Sequence, residues 1–315
     1  MKQTSRQWMV THEWMVKPMQ QKEWIEGQGI MIWLAEVFSS LGTGLYIVAL
    51  FFNNWWAALV GWLIIVGLKL PLHFFYLGKP LRFWRALPPF TRAWRTSWIA
   101  RGFFFTTLFA GVGFIQLILS YYITFMIEPA AAVTSLILVD FLVKVLAGVL
   151  VVFTAVYCGF MMSFCKSVPF WNTGLLPIVI MNAGVADGLA LLLGIGMLSG
   201  GVDFMMVEAI TRFLLIVNII LIGTYLINST YRSATAKLSS NELLSGKVAG
   251  IFWIAVVILG IFVPLIISIA GYFTHVSHLV MIVAIIAHTI GAFGLKYCIL
   301  KVGIYKPILP NLKTH

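Results

Sequence analysis

Eight apolar runs divide the chain, near residues 30–52, 55–77, 102–125, 131–160, 174–199, 207–228, 248–270 and 278–300, with polar segments between them. A helix needs about 20 apolar residues to cross about 30 Å of hydrocarbon, because every backbone donor and acceptor must find its partner within the segment. The pattern therefore predicts an all-α fold, a polytopic integral membrane protein of eight transmembrane helices. The fourth run is long and is expected to tilt or to continue past the membrane face. Residues 1–29 read as an N-terminal arm, 30–300 as one membrane domain and 301–315 as a tail. Two four-helix bundles side by side are one packing that fits the domain. No short internal repeat is evident, and no linker to a soluble domain.

Composition agrees: 61% of the 315 residues are hydrophobic and 10% charged, and the mean hydropathy is +0.99. The formal charge of +11 would suit a nucleic-acid binder only if the basic residues lined one face, and they do not. They sit in the gaps between the runs, so no nucleic-acid partner is expected. With eight spans both termini share a side, and 18 of the 21 Lys and Arg residues fall there, among them Lys2, Arg6, Lys166, Lys296 and Lys313. The opposite loops hold no Lys or Arg, while Glu128 and Asp203 lie in them. The positive-inside rule then places the termini and the long basic loop after the second run in the cytoplasm of a multi-pass cell-membrane protein. The first 25 residues lack a continuous apolar core and a cleavage site, so the arm is expected to stay.

Cys158, Cys165 and Cys298 form no paired spacing, which argues against a disulfide framework or a cysteine-held cluster in this chain. A haem would need two histidines at matching depth on facing helices. His73 falls near one face, His288 near mid-membrane, and His275 and His278 at the other face, so no haem is expected. No phosphate-binding loop, zinc-helix motif or nucleophile elbow is present, which leaves little room for hydrolytic or nucleotide-driven chemistry.

Residues 76–85 read YLGKPLRFWR and lead through TSWIARG (96–102) into the third run; YCGFMMSFCKSVPFWNTGLLP (157–177) joins the fourth to the fifth. Here the chain resembles the membrane-anchor subunits of the NrfD and polysulfide-reductase type, which carry an HLG-x-P-x-R-F-W-R loop and a Y-T-G-L-L-L-S, P-x-W-N, L-L-P run. SLGTG (40–44) in the first run fits more weakly. The resemblance implies an eight-helix subunit that exchanges electrons between a membrane quinone, menaquinone or ubiquinone, and a ferredoxin-like iron-sulfur subunit docked on the loop. That subunit in turn serves a catalytic subunit, often a molybdopterin enzyme. Tyr76 stands where many members have His, and Glu36 where some have an Asn/His pair. In well-known members the motif loop faces the periplasm. The charge distribution here points to the cytoplasm, as in anchors similar to those of phenylacetyl-CoA:acceptor oxidoreductases.

A quinone site needs an apolar slot near the membrane face, hydrogen-bond partners for the carbonyl oxygens and a group that takes protons. Glu36, His73, Tyr76 and Tyr157 are the candidates, with Glu36 as proton acceptor. Competing readings are an interfacial aromatic belt for the tyrosines, helix-helix hydrogen bonding for Glu36 and an interfacial histidine for His73. Arg82, Arg85, Trp98, Arg101, Trp171 and Asn172 are candidates for docking the partner. The arginines would serve equally as orientation charges at the lipid head-groups, and Trp171 and Asn172 as a structural turn. Asp140 and Lys144, four residues apart, predict an ion pair on one helix. Lys69 and Asp187 lack partners in their own spans; with that couple they form either a buried network or a proton path. The same four residues would serve an ion-coupled transporter, and a passive anchor without quinone is a third reading.

Overall fold

A computed structural model of the chain describes residues 15–127, 134–274 and 276–309, so Lys2, Arg6, Glu128, His275 and Lys313 lie outside it. Among the described residues, eight helices are long and apolar enough to cross a membrane: α1 (Gly27–Phe51), α2 (Trp55–Tyr76), α3 (Trp98–Met126), α4 (Thr134–Ser163), α5 (Leu175–Ser199), α6 (Phe204–Arg232), α7 (Ala249–Phe273) and α8 (His278–Lys301). All eight expected runs are found. The protein is an all-α, multi-pass membrane protein. At α3, Ser97 Oγ caps the backbone N–H of Ala100 and starts the helix before the apolar run begins.

The helices pack as two four-membered bundles. In the first, α1 lies against α2 and α4, and α3 fills the gap between those two. The second repeats this pattern, with α5 against α6 and α8, and α7 between them. The bundles join through α1 and α5, whose apolar windows are 78% and 61% buried against 22–39% for the other six. Glycines permit this contact. A Cβ on Gly44 would collide with the carbonyl of Gly184 and the backbone of Gly188 in α5, while one on Gly42 would collide with Ile64 and Ile65 of α2. The SLGTG run thus packs α1 closely on two sides, as small residues do where helices approach in lipid.

Two spans carry π-helical stretches that precede a proline, Ile64–Lys69 before Pro71 in α2 and Phe252–Phe262 before Pro264 in α7. Proline lacks a donor and its ring crowds the carbonyl four residues back, so the helix widens there. The carbonyl that Pro264 cannot pair is that of Gly260, and His288 of α8 takes it through Nδ1 at 2.7 Å. The two helices cross at Gly260 and Gly291, which leave room for that reach.

Beyond the bundles, the hydrophobic pattern predicts neither the helix Ala234–Ser245 nor a short antiparallel pair of β1 (Met19–Gln20) with β2 (Ile304–Tyr305). The arm and tail close a clasp at one end of the molecule, where Gln21 donates to the carbonyls of Gly303 and Leu300. Lys301 Nζ lies 2.6 Å from Glu26, and Tyr305 donates to Glu23 at 3.0 Å. The Lys301 hydrogen bond holds the Glu26 carboxyl below its ordinary range, and backbone donors, first the N–H of Glu23 itself, do so for Glu23. Burial, with the Glu23 carboxylate, pushes the Tyr305 phenol up to about 12.

Candidate functional site

The motif loop between α2 and α3 marks one end of the first bundle, called here the loop side. Seven buried or half-buried polar residues converge just inside it, six from α1 to α4 and Lys296 from α8. Counting 1.5 Å per residue from the helix ends, Glu36, Lys69, Thr106, Tyr157 and Lys296 all lie about 8–13 Å deep, which is why side chains distant in sequence meet. Glu36, 3% exposed, accepts from the thiol of Cys158 through one carboxylate oxygen, while its other oxygen, Oε1, has no partner. Lys69, 1% exposed, donates to Thr106 Oγ1 at 2.9 Å, and its ammonium rests 4.6 Å from the centre of the Tyr157 ring. That ring lies against Gly102 of α3, where any Cβ would strike it. His73 Nδ1 lies 3.3 Å from the Lys69 carbonyl, which can only accept; its Nε2 therefore accepts from the Tyr157 hydroxyl at 3.0 Å.

Of the four quinone candidates, Glu36, His73 and Tyr157 thus come together. Tyr76 is half-buried, and no hydrogen bond joins it to them. Lys69, which by depth alone groups with Asp140 and Asp187, belongs instead to this cluster, and Lys69 does not pair with Asp187. Cys158 and Thr106 are not legible in the sequence, because a thiol and a hydroxyl inside apolar runs give no signal of their own. By hydropathy Lys296 belongs with the loop-side surface charges, yet it is 3% exposed inside α8, with its Nζ unpartnered. An ammonium five residues inside the end of a span is too close to the boundary to be distinguished by hydropathy.

Asp187 forms a second cluster at mid-membrane. Its Oδ2 accepts from Ser40 of α1 at 2.8 Å, and its Oδ1 lies 3.1 Å from His288 Nε2, so the group ties both bundles together. The third cluster is at the far end of the first bundle. Asp140 and Lys144 form the expected ion pair at 2.8 Å, Ser120 donates to Asp140 at 2.8 Å, and Lys144 donates to Asn53 in the turn after α1 at 3.1 Å. The Lys144 side chain thus reaches the turn that follows α1. Glu208 and Arg212 lie 3.9 Å apart, with Arg212 also donating to Ser268.

The docking candidates divide sharply. Arg82 and Arg85 are exposed on a 3-10 turn, Pro80–Ala86. Trp98 is stacked between Phe160, at 4.7 Å, and the Arg101 guanidinium, at 4.5 Å. Arg101 donates to the carbonyls of Trp94 and Arg95, so both residues brace the loop. Trp171 is 1% exposed and donates to the Ile299 carbonyl at 2.7 Å; it offers no docking surface. Asn172 is held between Ser163 and Arg232. The PFWN run thus fastens the α4–α5 loop to α8, as the structural-turn reading has it. Among the described residues, no group of three or more His, Cys, Asp and Glu could hold a metal ion.

A family model described as "Polysulphide reductase, NrfD" matches residues 30–307. The protein is similar to the C subunit of the polysulfide reductase of Wolinella succinogenes, 28% identical over 177 residues covering 51% of this chain and 53% of that protein. It is also similar to the NrfD homolog of Haemophilus influenzae, 26% identical over 170 residues covering 51% of this chain and 52% of that protein. The alignment thus spans about half the length of each of these relatives.

Proposed function

The protein belongs to the NrfD family, and from that premise we propose that it is the quinone-reactive membrane anchor of a multi-subunit oxidoreductase. The observation that carries this reading is the loop-side cluster, in which a carboxylate, an imidazole, a phenol and an ammonium converge near one membrane face. Burying such groups in a span is costly and calls for a function. The cluster supplies what a quinone head-group requires. Lys69, whose ammonium keeps donors beyond the one given to Thr106, offers a hydrogen bond to a carbonyl oxygen beside the Tyr157–His73 pair, and Glu36 Oε1, free of any partner, is placed to take a proton as a quinol is oxidised.

Electrons would pass between the quinone and an iron-sulfur subunit. We assign its docking to the exposed basic face of the motif loop, Arg82 and Arg85, with a molybdopterin subunit as the catalytic partner. The excess of Lys and Arg on the loop side supports a cytoplasmic position for that loop in the cell membrane. Mid-membrane Asp187 is the candidate for a proton path from this site, while Asp140 and Lys144 pair with each other at the far end.

The test is quinone-dependent electron transfer in the complex purified with its native partners. Glu36→Gln should abolish most of it while the complex stays assembled. Unchanged turnover would remove the site, and absence of bound or exchangeable quinone would leave a passive anchor.

A further inference from the structure

The loop-side cluster has an imbalance of charge. Two ammonium groups, Lys69 and Lys296, are buried beside one carboxylate, Glu36. Both act electrostatically on that carboxylate and on the Cys158 thiol that donates to it. Lys69 is at least hydrogen-bonded to Thr106 and seated on the Tyr157 ring. Lys296 has neither, although α8 packs directly on α1 and α5. Besides Glu36, the cluster holds His73 of α2, Thr106 of α3, and Tyr157 and Cys158 of α4, none of which brings a permanent negative charge. An unpaired ammonium in a low-dielectric interior is strongly disfavoured, and it either gives up its proton or is relieved by a counter-charge. Glu36 Oε1 and Lys296 Nζ, both buried and both unpartnered, mark where polar capacity is left open.

We propose that Lys296 is a ligand-binding residue which, with Lys69, makes this cluster select a head-group carrying an ionised oxygen. The ligand supplies the second negative charge that the helices omit. The inference rests on the quinone reading of the site and adds the charge state of what is held there.

Two probes of nearly equal shape separate the claims: a hydroxynaphthoquinone, whose acidic hydroxyl is ionised at neutral pH, and its uncharged methyl ether. Binding is read by quenching of tryptophan fluorescence in the full-length protein in lipid nanodiscs. The wild type should prefer the anion. Lys296→Gln should weaken the anion by about tenfold or more, as expected for loss of a charge-assisted bond, and leave the ether unchanged. Equal weakening of both probes overturns the proposal, because Lys296 would then act on packing alone; an unaltered preference in Lys296→Gln overturns it too. If that variant does not accumulate, Lys296→Arg decides, with a retained anion preference supporting the proposal and a lost one overturning it. A wild type that binds neither probe instead brings down the quinone reading itself.

Discussion

The two ends of the first bundle are built from similar residues and differ in whether those residues are satisfied. At the far end a continuous series of contacts runs from Tyr46 to Gln116 at 2.6 Å, Gln116 to Ser120 at 2.8 Å, Ser120 to Asp140 at 2.8 Å, and through Lys144 to Asn53. Every member has a partner, and the series ties α1, α3 and α4 to the turn after α1. On the loop side, by contrast, Glu36 Oε1 has none, nor has Lys296 Nζ, which α8 brings in from the second bundle. A satisfied buried network rigidifies what it connects, whereas an unsatisfied one holds capacity for something that is not yet bound. The far end therefore reads as a fastening and the loop side as a site.

Substitutions can break that contrast. The largest effect should strike both ends together: Gly44→Leu drives a side chain into the α5 backbone, a clash of about 3 kcal/mol or more that should prevent folded protein from accumulating in membranes. Glu36→Gln should lower quinone-dependent turnover about 100-fold, the scale of a lost proton acceptor, with the melting temperature in detergent unmoved. Asp140→Asn should do the reverse, costing about 1–3 kcal/mol of stability with turnover preserved. If Asp140→Asn abolishes turnover in a protein that still melts normally, the far network is part of a proton path and the contrast fails. Tyr157→Phe keeps the ring over which Lys69 sits and removes only the bond to His73. The expected loss is about tenfold at most, seen in kcat more than in KM.

The smallest effect concerns the terminal clasp. Glu23 and Glu26 are held below the ordinary carboxylate range, so their contribution to stability is present above the unfolded-state value and is lost as the pH falls through their folded values. Both are exposed, and solvent screens them. Thermal midpoints compared at neutral pH and below the carboxylate range should fall slightly more for the wild type than for Glu26→Gln. A larger acid sensitivity in the variant would show that another group closes the clasp.

Hydropathy alone determined the number of helices, their positions to within a few residues and the class of fold, because span length follows from the thickness of hydrocarbon that each helix must cross. The i,i+4 spacing of Asp140 and Lys144 likewise determined their pairing, since it depends only on helical geometry. Which helices touch was decided by tertiary packing, and with it the company each polar residue keeps. Lys69 joined Glu36 and left Asp187; Asp187 met Ser40 and His288 instead. Trp171 passed from a docking surface to an anchor beneath α8, and Lys296 from a surface charge to the site. A depth along one helix is written in that helix's own residues, but the face it turns toward a neighbour depends on close contacts such as Gly44 against Gly184, made between residues far apart in sequence.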